Sequence, residues 1–335
     1  MNTISEPKPR IEFIDLAKGL CIFLVVMKHC GALPETSILS MLRMPLYFLL
    51  SGLFFKTYGG VKNLILKKTN KLVIPMVAFY MLGEIAFLIL NYSKPEILHI
   101  QDRQAFIDLF TVRHLFNLPV WFLLALFWSN VLFVLISTVI KNDYLRVILI
   151  IVIGMIGYNL GQYRIMLPLF IDTAMTALPF FCIGYYLKKT PILYPNRFDH
   201  YNWLFCLVCA LIVACSTFVP SCGLNSYFMN KLSGGLWGYI FSLAAVMCAL
   251  FLCKMIKRLP LISYVGRYSI IILVLHFILK RPAEFTIVSI FGDDCSYRGI
   301  LIFVITLAIN IVCIPLCLRF IPYLVAQKDL IRTKN

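Results

Sequence analysis

Lys18 and His29 lie in one apolar stretch that begins Ile11-Glu12-Phe13-Ile14-Asp15-Leu16-Ala17-Lys18-Gly19 and runs to Cys30. Their spacing of eleven residues is close to three whole helical turns, so on a helix both side chains share one face, separated by a rise of about 16 Å. A cation and a titratable base half a bilayer apart suit an elongated ligand with an anionic head and a reactive end, since imidazole accepts a proton near neutral pH. A plainer arrangement uses the same residues: Asp15 pairs with Lys18 one turn away, and His29, next to Lys28, marks the water interface. Both readings remain open on these residues alone.

Further polar groups interrupt later apolar runs, and ionisable residues inside a bilayer are costly unless paired or hydrated. Arg43 precedes Met44-Pro45-Leu46-Tyr47-Phe48-Leu49-Leu50-Ser51-Gly52, close enough in sequence to be folded back beside His29 by a hairpin. Ser51-Gly52 suits close helix packing. Lys67-Lys68-Thr69-Asn70-Lys71 is a basic cluster in which Lys68 and Lys71 stand one turn apart. It serves either as a topological stop or as a phosphate clamp. Glu84, Asp172 and His276 fall within later spans, His276 after Gly266-Arg267-Tyr268-Ser269. Trp121 opens another span, where a lone Trp commonly belongs to the interfacial aromatic belt. Two tiers emerge: His29, Arg43, Asp172 and His276 in one half of the membrane, and Lys18, Lys68, Lys71 and Arg267 in the other.

The elements that must hold these residues are helices in lipid. The chain has 335 residues, 61% hydrophobic and only 14% charged, with a mean hydropathy of +0.88. Soluble domains carry roughly 45–50% apolar and about 25% charged residues, so a disordered, collagen-like or disulfide-rich chain is excluded and the composition argues against a soluble enzyme. Apolar stretches of roughly 20 residues, enough to cross a hydrocarbon core, fall at about 13–31, 39–57, 72–92, 118–140, 144–163, 165–187, 202–220, 234–254, 262–280 and 299–323. The expectation is an all-α polytopic membrane protein of about ten transmembrane helices, the least secure division lying at Gly161-Gln162-Tyr163-Arg164.

Lys and Arg outnumber Asp and Glu by 31 to 15. With both termini cytoplasmic they divide roughly nineteen to nine in favour of the inner side, which supports that orientation. The excess points to anionic lipid headgroups rather than nucleic acid. The longest outer connection, about 93–117 with Asp102, Arg103, Asp108, Arg113 and His114, suits a short amphipathic helix. Most of the 12 Cys lie within apolar runs, where a thiol acts as a small hydrophobe. Cys222 and Cys295 fall in outer loops, where pairing is conceivable. Asp15 and Lys18 in the first apolar run argue against a cleavable signal peptide.

These motifs resemble the acyltransferase-3 group of integral-membrane O-acyltransferases, which modify surface polysaccharides and other extracytoplasmic acceptors. The family's first helix typically reads Asp, a short gap, Arg, Gly, and a His ten intervening residues after the Arg; Asp15, Lys18, Gly19 and His29 stand at those places. Pro45 through Gly52 resembles its second helix, and Lys68-Thr69-Asn70-Lys71 with Pro75 its paired basic motif. Val120-Trp121-Phe122-Leu123 and Gly266 through His276 also look similar. The matches run from residue 10 to about 280. Lys replaces Arg at position 18 and at both ends of the basic pair, and Lys is a point charge without the bidentate fork of Arg.

The resemblance implies one integral-membrane acyltransferase domain over 1–335, with a membrane core at about 11–326 and short polar tails at 1–10 and 327–335. It implies an O-acetyltransferase of the bacterial cytoplasmic (inner) membrane using acetyl-CoA or another acyl-CoA as co-substrate and no metal. The acceptor is a carbohydrate or lipid-linked glycan; membrane lipids are partners, nucleic acid is not, and a homo-oligomer is left open. In this scheme His29, Arg43 and Asp172 are catalytic and Lys18, Lys68, Lys71 and Arg267 hold the donor. Trp121, His276 and Glu84 meet the acceptor, and Asp15 and Ser51 give structural support. The rival reading is a proton-coupled secondary transporter or flippase; buried Asp, Glu and His favour it, and the lack of visible internal repeats counts against it.

Overall fold

The structure, a computed structural model, describes residues 11–91, 117–191, 196–292 and 295–332. Among these residues the chain forms twelve α-helices and no strand, apart from an isolated bridge between Ser226 and Lys231. The all-α expectation holds. Asp102, Arg103, Asp108, Arg113 and His114, expected on an amphipathic helix, lie outside the described residues.

We label the helices α1 (Glu12–His29), α2 (Ser37–Leu53), α3 (Val61–Lys68), α4 (Ile74–Asn91), α5 (Trp121–Val139), α6 (Asp143–Gln162), α7 (Ile171–Leu187), α8 (Asn202–Cys215), α9 (Leu236–Ile256), α10 (Pro260–Arg267), α11 (Ser269–Phe291) and α12 (Arg298–Phe320). Local chemistry sets several starts. Thr36 caps α2 by accepting from Leu39 N, and Asn142 caps α6 by accepting from Tyr144 N and Leu145 N. Proline opens α10, where its missing N–H costs nothing.

Among the described residues six helical stretches are long and apolar enough to cross a membrane, and the pair α10 and α11, bent by 89°, makes up to seven. The protein is therefore an integral membrane protein by length and composition of its helices. The sequence gives reasons for the smaller count. α1 carries Glu12, Asp15, Lys18 and Lys28 in 18 residues, and α2 has only 17. The apolar run drawn at 262–280 is broken at Tyr268, between α10 and α11. The doubtful boundary near Gln162 is a genuine break: α6 ends there, and Arg164 is left-handed with φ 56°. Cys222 and Cys295 are both free thiols, so their two loops are not joined by a disulfide.

The helix windows in 199–218 and Asp143–Gln162 are only 17% and 22% buried, whereas Pro168–Leu187 is 61% buried. α6 and α8 therefore lie at the periphery of the bundle and α7 is central. In lipid, helices associate through close backbone approach rather than through exclusion of water. α2 meets α7 in this way: a Cβ on Gly52 would stand 1.9 Å from Phe181 O, and one on Gly184 1.9 Å from Leu49 O. α1 meets α10 likewise, with Gly19 against Ile262 O and Gly266 against Asp15 O. Asn117 closes the other side, donating to Phe79 O at 3.2 Å and Val274 O at 2.8 Å and so tying α4 and α11 to the start of α5.

Because backbone lies where the new methyl would go, Gly52→Leu should destabilise the bundle by at least about 3 kcal/mol. Gly223→Ala, whose Cβ meets only Ser233 Oγ at 3.7 Å, should change stability by less than about 0.5 kcal/mol. Denaturation of the two variants in detergent checks this, and equal midpoints would refute the close-packing account.

Candidate functional site

Two cavities lie along α1. The first, of about 320 Å³, is lined by Lys18, Tyr47, Ser51, Phe54, Lys68, Lys71 and Ser269 among others. The second, of about 290 Å³, is lined by Lys28, His29, Ser40, Arg43, Trp121 and the segment Asn225–Phe228. Phe122 and Leu273 line both. Each of α1, α2, α5 and α11 contributes side chains to both cavities, so they are successive lengths of one crevice, divided by a phenylalanine and a leucine. The shared face of Lys18 and His29 is therefore real, but each looks into its own compartment.

The lysine compartment is built around an irregular turn. Between α3 and α4 the chain makes a π-helical turn, Thr69–Val73, a distortion that widens a helix and often accompanies functional sites. Asn70, fully buried, donates to Leu66 O at 3.1 Å and to Ile331 O at 2.8 Å and accepts from Ile331 N at 2.8 Å. Residues after α12 are thereby laid across the turn. Lys71 donates to Ala326 O at 2.6 Å and stands 3.4 Å from Asp329, which also pairs with Lys67. The Lys67 hydrogen bond, helped by Lys71, holds the Asp329 carboxyl below the usual carboxylate range. Lys68 is half-buried, and that burial pushes its ammonium down to about 8. Lys18 Nζ lies 5.4 Å from the Phe54 ring centre, a cation–π distance, while its carbonyl accepts from Tyr47 Oη at 3.1 Å.

In the histidine compartment Arg43 is only 4% exposed. It is held by Glu35, which also pairs with Lys28 at 3.0 Å. The hairpin between α1 and α2 thus brings Arg43 and His29 into one cavity, as the sequence suggests. Trp121, 7% exposed, packs on Phe170, Phe122 and Phe228 with ring centres 5.5, 5.9 and 6.1 Å away. It forms part of an aromatic wall and not of a lipid-facing belt. His276 is fully buried behind this cavity, its ring centre 5.3 Å from that of His29.

Of the remaining sequence candidates, Asp172, Glu84, Arg267 and Asp15 line neither cavity. Asp172 is fully buried in the first turn of α7, where its carbonyl accepts from Thr176 Oγ1 at 3.2 Å. Its neighbour Thr173 donates to Tyr227 O at 2.9 Å, and Thr176 to Asn230 Oδ1 at 2.7 Å. That end of α7 positions the 225–230 segment. Glu84 is half-buried on α4, and Arg267 is exposed, lying over the Tyr268 ring at 5.4 Å. Asp15 sits under Gly266 where α1 meets α10. Ser51 does more than permit packing, since it lines the lysine cavity and accepts from Asn130 Nδ2 at 3.1 Å. Among the described residues no three His, Cys, Asp or Glu side chains gather as a metal site.

Sequence reading misses Glu35, Tyr47, Phe122, Asn225–Phe228 and Asp329 as parts of the site. Tyr47 and Phe122 stand within segments that look familiar but read as ordinary apolar positions. The loop residues and Asp329 carry no periodic signal and are joined to the site only by the fold.

Fold and site together define a helical integral-membrane protein with a polar crevice divided into a cationic and an imidazole-bearing compartment. A family model described as an acyltransferase domain matches residues 11–319, and the chain belongs to the acyltransferase-3 family. Neither the curated proteins nor the solved structures give a match.

A carboxylate whose folded pKa is depressed adds stability that is present above its unfolded value, about 3.9, and lost as the pH falls through the folded one. Acidification below about pH 4 should therefore loosen the 322–332 segment, raising amide exchange at Ile331 by up to about fivefold, the limit for a partly exposed ion pair. Asp329→Asn should show the raised exchange already at pH 7. Unchanged protection in that variant would deny the ion pairs a role in holding the segment.

Proposed function

We propose that the protein is a membrane-bound O-acyltransferase that moves an acetyl or other short acyl group from cytoplasmic acyl-CoA to a hydroxyl of an extracytoplasmic or lipid-linked sugar. The observation that carries this reading is the divided crevice, in which α1 presents Lys18 to one compartment, beside Lys68 and Lys71, and the imidazole of His29 to the other. Such an arrangement suits a donor with a polyanionic head, a long neutral arm and a reactive thioester at its far end. The distribution of Lys and Arg supports a lysine compartment open to the cytoplasm and both termini on that side. In this orientation the six apolar spans, the bent pair and α1, α2 and α4 make ten crossings of a bacterial cytoplasmic membrane.

Lys18, Lys68 and Lys71 supply three positive charges for the phosphates of CoA. As ammonium groups they attract phosphate without imposing the planar fork of Arg. A thioester is already activated, so the chemistry needs a base for the acceptor and stabilisation of the oxyanion. His29 takes the hydroxyl proton as the sugar oxygen bonds to the thioester carbonyl carbon. The carbon–sulfur bond then breaks, and the imidazolium returns the proton to the departing thiolate, giving ester and free thiol. Arg43, oriented by Glu35, faces the same cavity and stabilises the negative charge on the carbonyl oxygen. Trp121 offers an aromatic surface of the kind on which sugar rings stack, and Ser40 and Asn225 offer polar groups for hydroxyls. Asp172, Glu84 and Arg267, away from both cavities, have no direct part in this scheme.

Purified protein in nanodiscs, given acetyl-CoA labelled in the acetyl group and a glycan acceptor, should transfer label to the acceptor. His29→Ala should lower the rate by about 100-fold or more while CoA binding stays measurable. Full activity in that variant would remove the imidazole from the mechanism.

The low pKa of Lys68 gives a second test. Its charge is lost as the pH rises through about 8, so kcat/KM for the donor should fall across that range, mainly through KM. Lys68→Arg, which stays protonated, should flatten the alkaline limb; an identical limb in both proteins would free Lys68 from any part in donor binding.

A further inference from the structure

We propose that His276 is a positioning residue that fixes the tautomer of His29, an inference that rests on the reading of His29 as the base. The argument starts from a carbonyl. His276 Nδ1 lies 2.8 Å from Ile272 O, and a carbonyl oxygen can only accept, so Nδ1 carries the proton. In the neutral ring Nε2 is then a bare acceptor. That atom is buried with no hydrogen-bond partner among the described residues, on a side chain with no exposed surface. A buried unpaired acceptor is costly and calls for an explanation.

The nearest ring is His29, centre to centre 5.3 Å with the planes inclined by 47°. At that separation one nitrogen of each ring can be joined by a single N–H···N hydrogen bond. Phe277 closes the other side, edge-on to His29 with ring centres 5.4 Å apart, and restricts how far that ring can turn. His29 has the only N–H that these rings bring to Nε2. Donating it leaves the second nitrogen of His29 with its lone pair toward the cavity, where an acceptor hydroxyl would lie. Hydrogen bonds of this kind often tighten only when substrate is bound. The relay is therefore Ile272 carbonyl, His276, His29. A backbone carbonyl takes the place held in familiar triads by a carboxylate. Asp172 and Glu84, the acids that the sequence places within later spans, line neither cavity.

The full-length protein, labelled with nitrogen-15 at histidine and held in nanodiscs, gives a direct readout from its ring-nitrogen shifts. In the wild type His276 should be protonated at Nδ1, and His29 should populate one tautomer. His276→Leu should let His29 exchange between both tautomers, and His276→Gln, whose Oε1 can accept in place of Nε2, should restore one. In acetyl transfer His276→Leu should lose about 100-fold in kcat with the donor KM within about threefold, and His276→Gln should recover most of that loss. A wild-type His276 protonated at Nε2, or a His29 tautomer unchanged by His276→Leu, overturns the proposal. If the wild type transfers no acyl group at all, the acyltransferase reading fails instead, and the tautomer measurement still decides the relay.

Discussion

A bilayer offers no water to a side chain in its interior, so every polar group on a spanning helix has to be met by protein or by a cavity. The rest of this structure follows from how that demand is satisfied. Asn117 spends both amide hydrogens on carbonyls of two other helices, and Arg43 finds Glu35. Lys28 and Lys71, which line the crevice, are met in the same way by Glu35 and by Asp329 with Ala326 O. Packing serves the same end. Glycines bring α1 against α10 and α2 against α7 at backbone contact, and this closeness lets four helices surround a narrow crevice instead of a lipid-filled gap.

Much of this was legible in the residues. The helical repeat placed Lys18 and His29 on one face, the short hairpin brought Arg43 to His29, and the spacing of Lys68 and Lys71 put both in one cavity. These are local inferences, and a regular helix transmits local spacing faithfully over three turns. The turn at 69–73 departs from α-geometry, yet the two lysines still converge.

What escaped the sequence depends on contacts between distant segments. The partition of the crevice rests on Phe122 and Leu273, two apolar residues with nothing to separate them from dozens of others. Trp121 reads as a membrane-interface anchor and is instead enclosed by Phe170 and Phe228, because the 225–230 segment folds back over α5 and α7. The apolar run from 262 to 280 looks like one span; a bend of 89° divides it, so that α10 lies along α1 while α11 carries Leu273 and His276 to the crevice. Asp172 and Arg267 were assigned to tiers by depth alone, which says nothing about the direction in which a side chain looks.

The segment after α12 has a consequence for biosynthesis. Ala326 forms part of the wall of the lysine cavity and binds Lys71, which precedes it by 255 residues. At about 5–20 residues per second, the first helices leave the ribosome roughly 10–50 seconds before the segment that will close over them. During that interval Lys67 and Lys71 lack the carboxylate of Asp329, so the wall and the charge balance of the lysine cavity are completed only when the last residues of the chain have been made.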